Sequence, residues 1–230
     1  MKRKCWLHHH PMCVRILSFV LVGCFSTMVC RADTDTGSAH NFIFKVPLKE
    51  QWYLSSRNLL TTRDGFDDLF FGYLDLNLGY DLGDGWAVEG GYRHAWLEIG
   101  DDWRDEYRPS GILSYRTKLG EWSFSNRHRL EYRMFESGSA ARDRFRYRNE
   151  TRLVAPWEIG PMDAKLFVEE EFFYEFTDDG FNFNWLTWGL RWELRDGVIA
   201  KLGHRWQASR FGDGDWNHRH QLVTGILIFF

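Results

Sequence analysis

The sequence predicts an all-β fold, a transmembrane antiparallel up-and-down β-barrel of about ten strands over residues 43–230. A signal peptide over 1–32 and a short periplasmic segment over 33–42 would precede it. Three observations predict this fold. From residue 43 onward the hydrophobic period is two rather than 3.6. The interruptions are clusters of Gly and Asp, which read as turns. Charged residues keep to one of the two faces that such alternation creates.

Taken in order, the strand segments are 43–57, 69–82, 86–98, 106–119, 122–134, 144–155, 163–176, 183–194, 198–208 and 217–230. Each reaches the ~9–11 residues that a tilted strand needs to cross a bilayer. Their connections alternate in character. Tight turns stand at Gly83-Asp84-Gly85, Gly120-Glu121 and Arg195-Asp196-Gly197, with the longer Ala155 to Met162 as an exception. Longer polar loops stand at Leu59 to Asp68, Gly100 to Asp105, Phe135 to Asp143, Thr177 to Asn182 and Ser209 to Trp216. Short turns at one end and long loops at the other are the habit of outer-membrane barrels, and an even strand count would return both termini to the short-turn end.

The alternation also assigns the faces. Over 122–134 one face reads Trp122, Phe124, Asn126, His128, Leu130, Tyr132, Met134, and the other Ser123, Ser125, Arg127, Arg129, Glu131, Arg133. Over 144–153 the faces are Phe145, Tyr147, Asn149, Thr151, Leu153 and Arg144, Arg146, Arg148, Glu150, Arg152. A barrel in lipid must turn the charges inward. Leu222, Ile226, Ile228 and Phe230 share the apolar face of the last segment and resemble the terminal assembly signal of exported outer-membrane barrels. A soluble lipocalin-like periplasmic barrel would show the same period with its apolar face turned inward.

Composition agrees with a folded, exported chain. Aromatics make up 17% of the 230 residues, which excludes disorder. Residues 1–32 hold Lys2, Arg3, Lys4, Arg15 and Arg31 and no acid, leaving 24 bases against 32 acids beyond them. That balance argues against nucleic acid as a partner. Ile16 to Val29 is apolar, follows Arg15 and precedes Cys30-Arg31-Ala32, the pattern of a cleaved export signal. Met12 offers an alternative start, and Leu21-Val22-Gly23-Cys24 resembles a lipobox. All four cysteines, Cys5, Cys13, Cys24 and Cys30, lie before the expected cut, so the exported chain would carry no thiol.

The run Asn126-Arg127-His128-Arg129-Leu130-Glu131-Tyr132-Arg133, then Arg144-Phe145-Arg146-Tyr147-Arg148-Asn149, Glu171-Phe172-Phe173, Asn184 and Gly189-Leu190 resemble a family of bacterial outer-membrane proteins. That family is known as domain of unknown function 2490. Trp185 stands where the family tends to have Arg. The resemblance implies the fold and an outer-membrane location in a Gram-negative bacterium, and implies no activity.

The chemistry expected of such a barrel lies inside it. A ring of about ten strands is narrow enough for side chains to fill. Pairing across the 135–143 loop sets Glu131 opposite Arg146, Arg127 opposite Glu150, Arg129 opposite Arg148 and Arg133 opposite Arg144. Glu169 and Glu171 on the following segment would reach Arg148 and Arg146, giving a luminal charge network that either packs the interior or selects small anions. Catalysis is not expected. Ser114, Ser123 and Ser125 face inward whereas His94, His128, His204, His218 and His220 face outward, so no Ser–His pair forms among them. The acid pairs Asp67-Asp68, Asp101-Asp102 and Asp178-Asp179 read as solvated loop residues. No cofactor or metal is expected. Partners would be outer-membrane lipid and lipopolysaccharide, and the barrel-assembly machinery acting on the last strand. An oligomer is not indicated. Asn126, His128, Asn149, Thr151 and Glu170 are anomalous on a lipid face, and point to a register-flipping bulge, a subunit interface or a lipid-facing active site. The expected role is structural or small-solute (porin-like) permeation, with an enzyme acting on envelope lipid or peptide as the alternative.

Overall fold

The computed structural model describes residues 35–99, 102–136, 142–177, 180–210 and 214–230. The expected signal peptide, its cysteines and Met12 lie outside them, as do Asp101, Asp178 and Asp179. Eleven strands form a closed barrel among the described residues: β1 (Asp35–Pro47), β2 (Trp52–Arg63), β3 (Asp68–Gly83), β4 (Trp86–Ile99), β5 (Asp102–Leu119), β6 (Trp122–Phe135), β7 (Arg144–Val154), β8 (Lys165–Glu175), β9 (Phe181–Arg195), β10 (Val198–Ser209) and β11 (Asn217–Phe229). Each strand pairs antiparallel with its sequence neighbours, and β1 closes the ring by pairing parallel to β11, with Ala39 opposite Val223.

The all-β barrel is as the sequence predicts, with one strand more than the ten segments. The expected first segment, 43–57, spans two strands joined by a tight turn. There Glu50 takes a left-handed φ of 57°, and Leu48 N donates to Trp52 O at 2.8 Å. The alternation hides this turn. Phe42, Phe44, Val46 and Leu48 are followed in the same parity by Trp52 and Leu54, so the parity is the same on both sides of the bend and Glu50 alone interrupts it. Two corrections follow. Residues 33–42, expected outside the barrel, supply most of β1 from Asp35 onward, and the first half of the expected 59–68 loop is the end of β2, which leaves a short turn at Asp64–Phe66 before β3. Because eleven is odd, Asp35 lies at the opposite end of the barrel from Phe229.

The remaining turns follow local chemistry. Asp84 and Gly85 both have positive φ, 51° and 85°, the geometry that matches the twist of a two-residue hairpin and that Asp-Gly tolerates best. Gly100 to Asp105, expected as a loop, contracts because β5 already begins at Asp102.

The faces are inverted relative to a water-soluble protein. Along β3, Leu74, Leu76 and Leu78 are 58%, 61% and 46% exposed, while Asp75 and Asn77 between them are each 1% exposed. β6 repeats the pattern, with exposed Leu130 between buried Arg129 and Glu131. Outward aromatic pairs gather near the strand ends. Trp52 with Tyr80, Trp86 with Tyr115 and Trp122 with Trp157 mark the short-turn end, with centroids 4.5–5.0 Å apart.

If the ring closes as described, A39C and V223C should crosslink with a short bifunctional thiol reagent, read as a mobility shift. A39C with L227C, four residues along β11, should not. Equal crosslinking of both pairs would contradict the β1–β11 register.

Candidate functional site

The inward side chains of β2 to β8 make ion pairs in several groups, the largest running from Asp75 through Glu131 to Glu175 and Glu106. Period-two alternation puts every second residue inside, and the sequence places Arg, Asp or Glu at many of those positions, most densely on β6 and β7. At the waist, Asp75 Oδ2 accepts from Arg93 Nη2 at 2.6 Å and, across the interior, from Arg129 Nη2 at 2.5 Å. Glu131 accepts from Arg146 Nε at 2.5 Å and lies 3.6 Å from Arg148 Nη1. Arg148 in turn donates through Nε and Nη2 to Glu171, at 2.9 and 2.6 Å. Toward the long-loop end, Glu106 holds Arg108 and Arg133, and Glu175 binds Arg133 and Arg144. Toward the short-turn end, Arg152 joins Glu169 to Glu150, and Glu150 receives Arg57 of β2 at 3.2 Å. Arg129–Asp75 and Arg57–Glu150 connect strands that are not neighbours, so the interior is crossed rather than merely lined.

All ten residues of the expected luminal network point inward. Arg127, Arg129, Glu131, Arg133, Arg146, Arg148, Glu169 and Glu171 are buried, and Arg144 and Glu150 are partly buried. The β6–β7 ladder has the four pairs the sequence sets opposite one another. One partner assignment changes. Glu169 binds Arg152 instead of Arg148 or Arg146, because the β7–β8 register places it opposite Arg152, while Arg146 faces Glu175. The sequence reading did not single out Asp75, Arg93, Glu106, Arg108, Glu175 or Arg57. The signal was available for Asp75, which alternates with three leucines.

Aromatic rings brace the guanidinium groups. Arg93 lies 3.7 Å from the Tyr73 ring centre, Arg148 4.6 Å from Phe173 and Arg205 4.4 Å from Trp185. Tyr73 also belongs to a small apolar cluster with Ala39, Leu59, Ala95 and Val223, inside the barrel on the long-loop side of Asp75. A cavity beside the waist is lined by seven basic side chains, including Arg127, Lys201 and Arg205, against three acidic ones, Glu150, Glu169 and Glu171. Of these lining residues, Arg93 through Nη1 and Arg127 through Nε have no hydrogen-bond acceptor among the described residues.

The anomalous outward polar residues are not produced by a bulge. The β6–β7 ladder runs without a register shift from Ser123 to Arg133, and the β7–β8 ladder runs equally unbroken. The groups instead satisfy one another. Asn126 donates to Thr151 Oγ1 at 2.7 Å, His128 Nδ1 lies 2.6 Å from the Tyr147 hydroxyl, and Asn184 donates to Glu170 at 3.1 Å. Leu222, Ile226, Ile228 and Phe230 occupy the outer face of β11 and its end, with Leu222 and Phe230 exposed.

The model of a family described as "Protein of unknown function (DUF2490)" matches residues 40–218. No curated protein matches the chain.

Removing one member of a buried pair strands its partner's charge, a loss of about 3–5 kcal/mol. Glu131→Leu should therefore lower unfolding stability by that order, whereas Glu131→Leu with Arg146→Met should recover much of it. Additive losses in this double-mutant cycle, measured by denaturant unfolding, would contradict the pairing.

Proposed function

The chain belongs to the DUF2490 family, described as of unknown function, and from that premise we propose that it is an integral barrel of the Gram-negative outer membrane. Its charge-filled interior is held closed at the waist, giving it a structural role with narrow permeation of small anions beside the network. The observation that carries this reading is the inversion of the faces. Leucines 46–61% exposed flank Asp75 and Asn77, each 1% exposed, on one strand.

Large contiguous apolar surface on a barrel has to be covered, and lipid covers it on all sides at once. The reverse orientation is far worse. Arg127, Arg129, Arg133, Arg144, Arg146, Arg148 and Arg152 facing hydrocarbon would cost on the order of 20 kcal/mol, at ~2–4 kcal/mol each near mid-depth. Closure supports the same reading, since backbone groups in lipid must all be paired and an open edge would leave a row of them unpaired. The two ends fit interfaces, with outward aromatic pairs near the short turns and Tyr132–Phe145 and Phe181–Trp216 near the long loops. On this reading the outer face meets lipid and lipopolysaccharide, and the apolar row of β11 is the surface offered to barrel-assembly machinery.

The cationic excess around the cavity gives the permeation its sign. Because cross-barrel pairs occupy the waist, conductance should be small.

The expressed protein should stay with membranes through carbonate extraction and migrate differently on detergent gels before and after heating. In planar bilayers the wild type should give only small, anion-preferring steps. Arg129→Ala with Arg148→Ala should enlarge them and reduce the preference. Wide, unselective wild-type steps unchanged by those substitutions would refute the closed waist, and release by carbonate would refute the membrane assignment.

A further inference from the structure

β1, most of which precedes the first segment expected from the sequence, brings a serine and a histidine together on the outer face. Ser38 and His40 are two apart on β1 and share the face opposite Ala39, which packs in the interior cluster, so both stand on the outer side. Ser38 Oγ lies 2.8 Å from His40 Nε2, and His40 Nδ1 lies 2.8 Å from Thr224 Oγ1 on β11. When Nδ1–H donates to Thr224, Nε2 is left to accept the Ser38 hydroxyl proton. Thr62 of β2 completes the set. Its hydroxyl is 2.8 Å from Ser38 Oγ, and its own oxygen accepts the Ser38 backbone N–H at 3.0 Å. Nucleophile, base and orienting group are therefore in hydrogen-bonded sequence, the arrangement by which a hydroxyl is activated for attack.

Other outward histidines lack this order. His128 is held by a phenol and an amide, and His94 is 3.0 Å from the Asp105 carboxylate. Mutual satisfaction of polar groups explains those sets without requiring a hydroxyl in line with an imidazole.

The position of the set suits one substrate. β1 begins at Asp35, which binds Arg219 of β11, and Arg63 at the adjoining end of β2 binds Asp68 and Glu98. These charges mark the aqueous rim. Ser38 is three residues further along, ~10 Å of strand, less in depth because strands tilt. That depth is where the ester linkages of membrane lipids lie, below the headgroups and above the chains. Leu222, the register partner of Ser38, and Leu60, the partner of His40, are both exposed and offer an acyl chain a surface. Ser38 itself is only 3% exposed, so ester and water alike reach it only when the side chains over it shift.

We propose that this seam of the barrel is an acyl-ester hydrolase site for lipids of the adjoining leaflet, with Ser38 as nucleophile, His40 as general base and acid, and Thr224 as a positioning residue. Ser38 Oγ forms a bond to the ester carbonyl carbon while its proton passes to His40 Nε2. The carbon–alkoxy bond breaks, and the leaving alcohol takes that proton. Water then attacks the acyl-serine with His40 accepting its proton, which returns to Ser38 Oγ as the fatty acid leaves. The inference rests on the membrane reading, which supplies the substrate.

The test treats the exported full-length protein, in detergent micelles, with a long-chain alkyl fluorophosphonate, and locates any adduct by peptide mass spectrometry. Fluoride is displaced by Ser38 Oγ if that oxygen is activated. The expected result is an adduct on Ser38 and release of fatty acid from phosphatidylethanolamine vesicles. Both should be abolished by Ser38→Ala and slowed about 10²-fold or more by His40→Gln. Thr224→Ser should keep the rate that Thr224→Val loses. A wild-type barrel, shown folded by its heat-dependent migration, that leaves Ser38 unmodified overturns the proposal. So does labelling indifferent to His40→Gln. The same preparation is also freed of detergent: protein that stays dispersed and folded defeats the membrane reading and with it the lipid substrate, whereas Ser38 labelling scored separately reports on the nucleophile.

Discussion

Everything in this barrel depends on pairing buried guanidinium groups with buried carboxylates inside a closed ring. A charge taken out of water costs several kcal/mol unless a partner and hydrogen bonds replace its hydration. Here Asp75 is held by Arg93 and Arg129, Glu131 by Arg146, and Glu171 by Arg148, at or near full burial. Each pair makes the inward orientation of its strands tolerable. The strands, so oriented, have no choice but to present Leu74, Leu76, Leu130 and their like on the outside. The polar interior and the oily exterior are thus one constraint seen from two sides. The cross-barrel pairs also occupy the interior, because the side chains that satisfy one another at the waist are the ones that fill it.

The odd strand number has consequences of its own. With eleven strands, the first and last must run parallel, and the seam between them brings Ser38 and His40 beside Leu222 and Thr224. A ten-strand ring starting at residue 43 would contain neither Ser38 nor His40. The outer face is then not uniformly apolar. Groups of polar side chains interrupt it, among them those around Asn126, His128 and Asn149, at His94 and Asp105, at Asn184 and Glu170, and at the seam, and in each the polar atoms meet one another. Among the described residues the seam places an aliphatic hydroxyl, an imidazole and a second hydroxyl in hydrogen-bonded sequence.

Much of this was legible in the sequence, for definite reasons. Strict alternation in 122–134 and 144–153 fixed the faces, and the loop between them fixed the opposition of Glu131 to Arg146 and of Arg127 to Glu150, because antiparallel register follows from a hairpin's centre. What was not legible has equally physical causes. The turn after Pro47 preserves parity, so hydrophobic pattern alone cannot detect it. The pairing of Glu169 with Arg152 depends on the β7–β8 register, which a longer connection with its own small bridge at Ile159 and Ala164 leaves undetermined by sequence spacing. Contacts between non-neighbouring strands, such as Arg57 with Glu150, depend on ring closure and leave no local trace.

The central claim is which face meets hydrocarbon. Single cysteines at residues 74 to 78 of β3, each carrying a nitroxide in reconstituted vesicles, report it by collision with oxygen, which dissolves in lipid, and with a water-soluble nickel complex. The account predicts oxygen contact that peaks at 74, 76 and 78, with labels at 75 and 77 shielded from lipid. Oxygen contact at the odd positions, or nickel contact at the even ones, would contradict it.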